Sequence, residues 1–182
     1  LQNKEQIIEA DVEVKLAQQK LESYKQNLEK LKQNNAEIIE DYRNKIAKTQ
    51  EEFLSEVKRL VYEKINNFSL DSVREMSIDH FQGLGKMIRP KTVYGLAKTL
   101  GVDTDKVLGW AVSCELLHNA SLIHDDLQDG DKTRRGRPTT WFKYGKNHAI
   151  NIGDFLLIIA PLGIFDSNLS CDLKLQLNKT YS

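Results

Sequence analysis

From Ile7 onward, apolar residues recur at alternating steps of three and four: Ile7, Ala10, Val14, Ala17, Leu21, Tyr24, Leu28 and Leu31, continuing through Asn35 to Ile38. That spacing sets them along one seam of a helix, as at the a and d positions of a heptad repeat. Lys, Glu and Gln crowd the other positions, and neither Gly nor Pro occurs in the first 50 residues. After Tyr42 the apolar phase slips to Ile46, Phe53, Val57 and Leu60, as a stutter produces. The pattern predicts helix over Lys4–Asn66, either unbroken or as two helices in series with a break near Asn34 and Asn35. Two arrangements fit the seam: a self-associating coiled coil, or an amphipathic helix packed on its own domain or folded back as a hairpin. In a coiled coil, Asn35 at a core position would help to fix register and strand number at some cost in stability.

Shorter helical patterns follow. Ser72–His80 reads as a helix and Gly83 with Gly85 as a turn, where glycine permits positive φ or close approach to a ligand. Pro90 suits the first turn of a helix over Lys91–Leu100, which Gly101 ends. Asp103 or Thr104 can cap a long central helix, Asp105–Asp129. Trp141–Gly145 reads as a turn. Asn147–Phe165 is strongly apolar, yet its core is shorter than the about 20 residues of a membrane span. With Asp154 and Pro161 inside it, the stretch reads as a buried helix kinked at Pro161. A last helix covers Leu173–Tyr181.

The end of the central helix holds the candidate chemistry. Asp125 and Asp129 are i,i+4 neighbours on one face, with Asp126 to the side. They stand at the helix C-terminus, where the macrodipole disfavours negative charge. A divalent cation would turn their mutual repulsion into attraction. Hard carboxylate oxygens with open positions for phosphate suit Mg²⁺. Lys132, Arg134, Arg135 and Arg137 follow at once and supply donors for phosphate oxygens. The same residues also fit an acidic helix end beside a solvated basic loop.

In this order the residues resemble the polyprenyl synthetases, the trans-type isoprenyl diphosphate synthases. The chain has that family's D-D-x-x-D at Asp125, Asp126 and Asp129, then four residues, then R-R-G at Arg134–Gly136. It also has G-K-x-x-R-P at Gly85–Pro90, a histidine seven residues before the aspartates at His118, and the A-I-N-x-G-D run Ala149–Asp154. The resemblance spans roughly residues 52–181 and implies an all-α fold, the first half of an antiparallel bundle over 51–182; residues 1–50 lie outside it and are read from their seam as a long helix, coiled coil or hairpin. It implies Mg²⁺-dependent, head-to-tail condensation of isopentenyl diphosphate with an allylic diphosphate. Asp125, Asp126 and Asp129 would be the catalytic metal ligands. Lys86, Arg89, His118 and Arg135 would bind the diphosphate of isopentenyl diphosphate, and Arg134 would join the metal side. Small residues at Ala120 and Ser121, near the aspartates, would leave room for a hydrocarbon tail and so for products of twenty carbons or more. Equally, they fit ordinary close helix packing.

The chain departs from the family in three places. Residues 1–50 precede the usual start, Met87 stands where a further Arg is common, and no second aspartate-rich cluster follows Asp154, where only Asp166 and Asp172 remain. A second functional reading therefore stands beside the enzyme: a catalytically incomplete binding or regulatory subunit of a prenyl diphosphate synthase, assembled through the coiled coil. Terpene cyclisation shares D-D-x-x-D but has no evident use for the basic acceptor pocket.

Composition adds limits. Lys and Arg number 26 against 26 Asp and Glu, so no global field points to nucleic acid. Leu1–Lys20 lacks the apolar core of a signal peptide. Cys114 and Cys171 read as small buried residues rather than a disulfide, in a reducing compartment. These features point to a cytoplasmic protein without a transmembrane segment, compatible with peripheral membrane contact, acting as a homodimer or hetero-oligomer.

Overall fold

The computed structural model describes the backbone of residues 2–68, 70–83 and 85–181, and side chains within those ranges from residue 13 to 180. The chain divides into two compact units, Leu1–Lys48 and Thr49–Ser182. It is all-α apart from one minimal hairpin.

The first unit is the N-terminal part of helix α1 (Gln2–Phe68). No break forms at Asn34 and Asn35, because neither residue removes a backbone donor as Pro would and their modest propensity penalty is absorbed by the flanking Lys, Glu and Leu. Every described residue from Glu13 to Lys48 is exposed, the seam from Val14 to Tyr42 included. The side chains of Ile7 and Ala10 lie outside the described residues.

In the second unit α1 changes character. Phe53, Val57, Val61 and Ile65, spaced by four, are buried. Leu60, on the expected seam, is only half-buried. Helices α2 (Asp71–Gln82) and α3 (Ile88–Thr99) follow. The rings of Phe53 and of Tyr94 on α3 meet at a tilt of 49°, with centroids 5.3 Å apart. Helix α4 (Thr104–Asp129) starts at Asp103, whose side chain accepts from the Asp105 amide, and stops at Gly130 in the left-handed conformation. It is the centre of the unit, with Ala111, Val112, Leu116, Ala120 and Ile123 in the core.

Hairpin β1 (Thr133–Arg134) and β2 (Arg137–Pro138) comes next. Residues 140–144, expected as a turn, form a short helix, α5 (Thr140–Tyr144). Trp141 Nε1 and the Thr139 hydroxyl both donate to the Asp131 carbonyl, 2.7 Å each, which holds this segment against the end of α4. The apolar stretch forms α6 (Lys146–Ile159) and α7 (Leu162–Phe165), separated at Ala160 and Pro161. By length and composition Lys146–Phe165 would suffice to cross a membrane. In the fold, however, Ala149, Ile152, Leu156 and Ile159 pack into the core. Where α7 meets α4 the backbones nearly touch: a Cβ on Gly109 would lie 2.2 Å from the Gly163 carbonyl oxygen. Ser113 seals this crossing by donating to the Ala160 carbonyl, 2.6 Å away. Buried Lys64 pairs with Asp166. Helix α8 (Cys171–Asn178), capped by Ser170, runs into a 3₁₀ turn, Lys179–Tyr181. Cys114 is half-buried, whereas Cys171, expected inside, is exposed at the first turn of α8; neither forms a disulfide.

Candidate functional site

Two surfaces meet on α4. Its exposed stripe carries Leu117, Ser121 and Asp125 at steps of four, with Asp129 one turn further. Asp126, one position from Asp125 and so rotated by about 100°, points the other way. It is 2% exposed and accepts from Arg134 Nε at 2.6 Å. Burial pushes its carboxyl above the usual range, while the bond to Arg134 pulls it back. The three aspartates therefore do not converge, and among the described residues no three Asp, Glu, His or Cys side chains gather closely enough to enclose an ion. Asp125 and Asp129 are exposed carboxylates on one face, with no salt bridge to either among the described residues. A hard, partly hydrated cation with open positions fits that donor pair.

The basic segment is ordered by its turn. Arg135 and Gly136 have φ of 52° and 75°, both left-handed, as a two-residue type I′ hairpin loop requires. Glycine meets that demand freely, whereas Arg135 accepts strain to stand at the tip. Three arginines then leave for three destinations. Arg134 reaches Asp126 on α4. Arg137 donates to the Asp79 carboxylate on α2, 3.2 Å away. Arg135 reaches the Gly83 carbonyl at 3.1 Å.

Arg135 also closes a cleft of about 280 Å³, open mouth included, whose walls include Lys86, Arg89, Glu115 and His118. Gly85 belongs to this wall for a specific reason: a Cβ there would lie 2.4 Å from Arg135 Nη1. Of the two uses open to glycine here, Gly85 shows close approach, while left-handed backbone occurs at Met87, the N-cap of α3, with φ 46°. His118 is half-buried among cations. Burial, then Arg89, Arg135 and Arg134, lower its pKa to about 4. Near neutral pH it is an uncharged imidazole, able to donate one hydrogen bond and accept another.

Behind the cleft runs a polar chain that sequence reasoning missed. Asn119 Nδ2 donates to the Glu115 carbonyl (2.8 Å) and carboxylate (3.1 Å). Its Oδ1 accepts from His80 Nε2 at 3.2 Å, and His80 Nδ1 meets the Thr140 hydroxyl at 3.2 Å. With Nε2 donating, Nδ1 accepts, which sets one neutral tautomer. Burial foremost lowers the His80 pKa to about 4. Burial likewise raises the Glu115 carboxyl, against the pull of Asn119, Arg89 and Arg135. Asp79 anchors the far side: although burial pushes it up, Lys143, Tyr144 and Arg137 outweigh that and hold its carboxyl below the usual range. The available signal was the i,i+4 pair Glu115 and Asn119 on an otherwise apolar helical face.

Of the residues singled out from sequence, Lys86, Arg89, His118 and Arg135 share the cleft. Arg134 and Asp126 form a pair beside it, and Asp125, Asp129 and Ser121 share the outer stripe of α4. Ala120 is fully buried in the core and does not share a wall with exposed Ser121.

Comparison with known proteins sets this geometry in context. A model of the family described as polyprenyl synthetase matches residues 71–169. The (2E,6E)-farnesyl diphosphate synthase of Mycobacterium tuberculosis is 47% identical over 82 residues, 45% of this chain and 23% of that protein. Geranylgeranyl diphosphate synthase of Saccharolobus solfataricus is 35% identical over 107 residues, 57% and 32% of the two chains. Among solved structures, geranylgeranyl pyrophosphate synthetase from Pyrococcus horikoshii superposes with a TM-score of 0.67 at 30% identity, covering 72% of this chain and 40% of that one. The chain thus spans less than a third of the length of these curated relatives.

Proposed function

The chain belongs to the polyprenyl synthetase family, and from that premise we propose that it carries the acceptor-binding and first carboxylate parts of a prenyltransferase site. The reaction is head-to-tail condensation of isopentenyl diphosphate with an allylic diphosphate. What supports this reading most is that Lys86, Arg89, His118 and Arg135, chosen from sequence, line one cleft.

In this reading Lys86, Arg89 and Arg135 hold the acceptor diphosphate by charge-assisted bonds. Neutral His118 adds one donated bond without adding charge. Asp125 and Asp129 would hold Mg²⁺, which when bound would supply neutralisation of the leaving diphosphate. Arg134, paired with Asp126, ties the carboxylate end of α4 to the hairpin whose tip closes the cleft. Positioning of the two substrates supplies the other large catalytic term. The acceptor's double bond attacks the allylic carbon, the carbon–oxygen bond breaks, and the product then loses a proton, for which the departing diphosphate is a sufficient base. Ser121, small and one turn before Asp125, leaves the tail's path along α4 open and favours products of twenty carbons or more.

The test is incorporation of labelled isopentenyl diphosphate into extractable product with an allylic diphosphate and Mg²⁺. Arg89→Ala is expected to raise KM for isopentenyl diphosphate, and Asp125→Ala to abolish turnover while the helical circular dichroism is kept. Undiminished turnover by Asp125→Ala refutes the carboxylate assignment. Diphosphate binding without any product moves the reading to a non-catalytic binding subunit.

A further inference from the structure

We propose that the N-terminal part of α1 pairs with the same segment of a second copy of this chain as a parallel, in-register, two-stranded coiled coil. The seam is regular and bare. Val14, Leu21, Tyr24, Leu28, Leu31, Ile38 and Tyr42 are each more than half exposed, although they are large and apolar. Helices in water draw most of their stability from packing an apolar face. Short ion pairs along this helix, such as Lys45 with Asp41 at 2.6 Å and Lys32 with Glu29 at 3.5 Å, are exposed and supply only minor support.

The surface already has the shape a facing helix needs. Asn34, Glu37, Ile38, Asp41, Tyr42 and Lys45 line a shallow depression on α1, and the last four stand at steps of three, one and three. Four residues so placed are the hole that receives one knob in a coiled coil. In heptad terms Val14, Leu21, Leu28, Asn35 and Tyr42 fall at a, and Ala17, Tyr24, Leu31 and Ile38 at d.

Asn35 selects the occupant and its direction. Against an apolar partner its amide would be buried unsatisfied. Opposite Asn35 of a second copy, parallel and in register, the two amides bond to each other; an antiparallel arrangement sets it against a d position instead. Size is adequate as well. A helix of about 47 residues is roughly 70 Å long, and a contact stripe about 10 Å wide along it has roughly 700 Å², near the about 800 Å² per partner of a stable interface. One feature opposes the pairing: Lys20 at g faces Lys25 at e of the second copy, a modest repulsion at the solvated rim.

The test uses the full chain. Light scattering is expected to give twice 20.9 kDa, falling to the single-chain mass in the Leu21→Asp, Leu28→Asp variant. Ala17→Cys, made with Cys114→Ser and Cys171→Ser, is expected to cross-link into a disulfide dimer on mild oxidation, because d positions face each other only in the parallel register. Lys25→Glu is expected to tighten the dimer severalfold by converting repulsion to attraction. A wild-type monomer overturns the proposal. So does a dimer that survives the double Asp change, or one that Ala17→Cys fails to cross-link.

Discussion

Lowering the pH should unlock the second unit through one buried imidazole. His80 is held neutral between Thr140 and Asn119, and its pKa is lowered from 6.5 to about 4, burial being the main cause. As pH falls, the unfolded chain takes up the proton first. The stability His80 contributes is therefore complete above about pH 6.5 and lost progressively between there and about pH 4. For these two values, moving from about pH 7 to about pH 5 costs about 2 kcal/mol. The assay is urea unfolding at both pH values, followed by the fluorescence of Trp110 and Trp141, which belong to this unit. His80→Gln keeps an amide able to bond but cannot titrate. His118, Glu115 and Asp126 also have shifted pKa values, yet they are common to both proteins and cancel in the comparison. Wild type should lose about 2 kcal/mol more than His80→Gln. Equal losses would refute the claim that His80 is buried and neutral.

Three further outcomes follow from close contacts. Gly109→Ala drives a Cβ against the Gly163 carbonyl, so α4 and α7 must separate; a loss of about 1–3 kcal/mol is expected in thermal melts, and an unchanged midpoint would contradict the crossing. Gly85→Ala meets only the flexible end of Arg135, so stability should change by less than about 1 kcal/mol while calorimetric binding of inorganic diphosphate weakens; binding at wild-type strength would separate Arg135 from the cleft. Ser121→Phe places a ring one turn before Asp125 and should shorten the prenyl product seen by chromatography, whereas an unaltered product distribution would exclude a tail path along that stripe.

Local chemistry in the chain was readable where it acts locally. Asp103 caps α4 because a carboxylate satisfies the free amide of Asp105, and Gly130 ends the helix because it alone there takes positive φ at no cost. The four cleft residues were legible as types, but their convergence depends on the hairpin bringing Arg135 back to Gly85, fifty residues earlier in the chain. Non-local placement also hid the fate of Asp126: its offset from the face of Asp125 and Asp129 is readable in the spacing, whereas its burial and its bond to Arg134 are not. His80 gave no periodic signal, since its partners come from α4 and α5. Of the two readings of Lys4–Asn66 the unbroken helix holds, because two weakly unfavourable residues at Asn34 and Asn35 cannot end a helix that nothing else interrupts.

The I′ loop at Arg135 and Gly136 makes this segment tolerant of one kind of change and intolerant of another. A replaced side chain alters one tether and leaves the neighbouring arginines in place. An added or deleted residue shifts the pairing Arg134 opposite Arg137 by one step and turns each following side chain to the other face. Arg137 would then miss Asp79. In variant libraries of this chain, residues 133–138 should accept point substitutions far more readily than single-residue insertions or deletions, so its length, more than its composition, is under constraint.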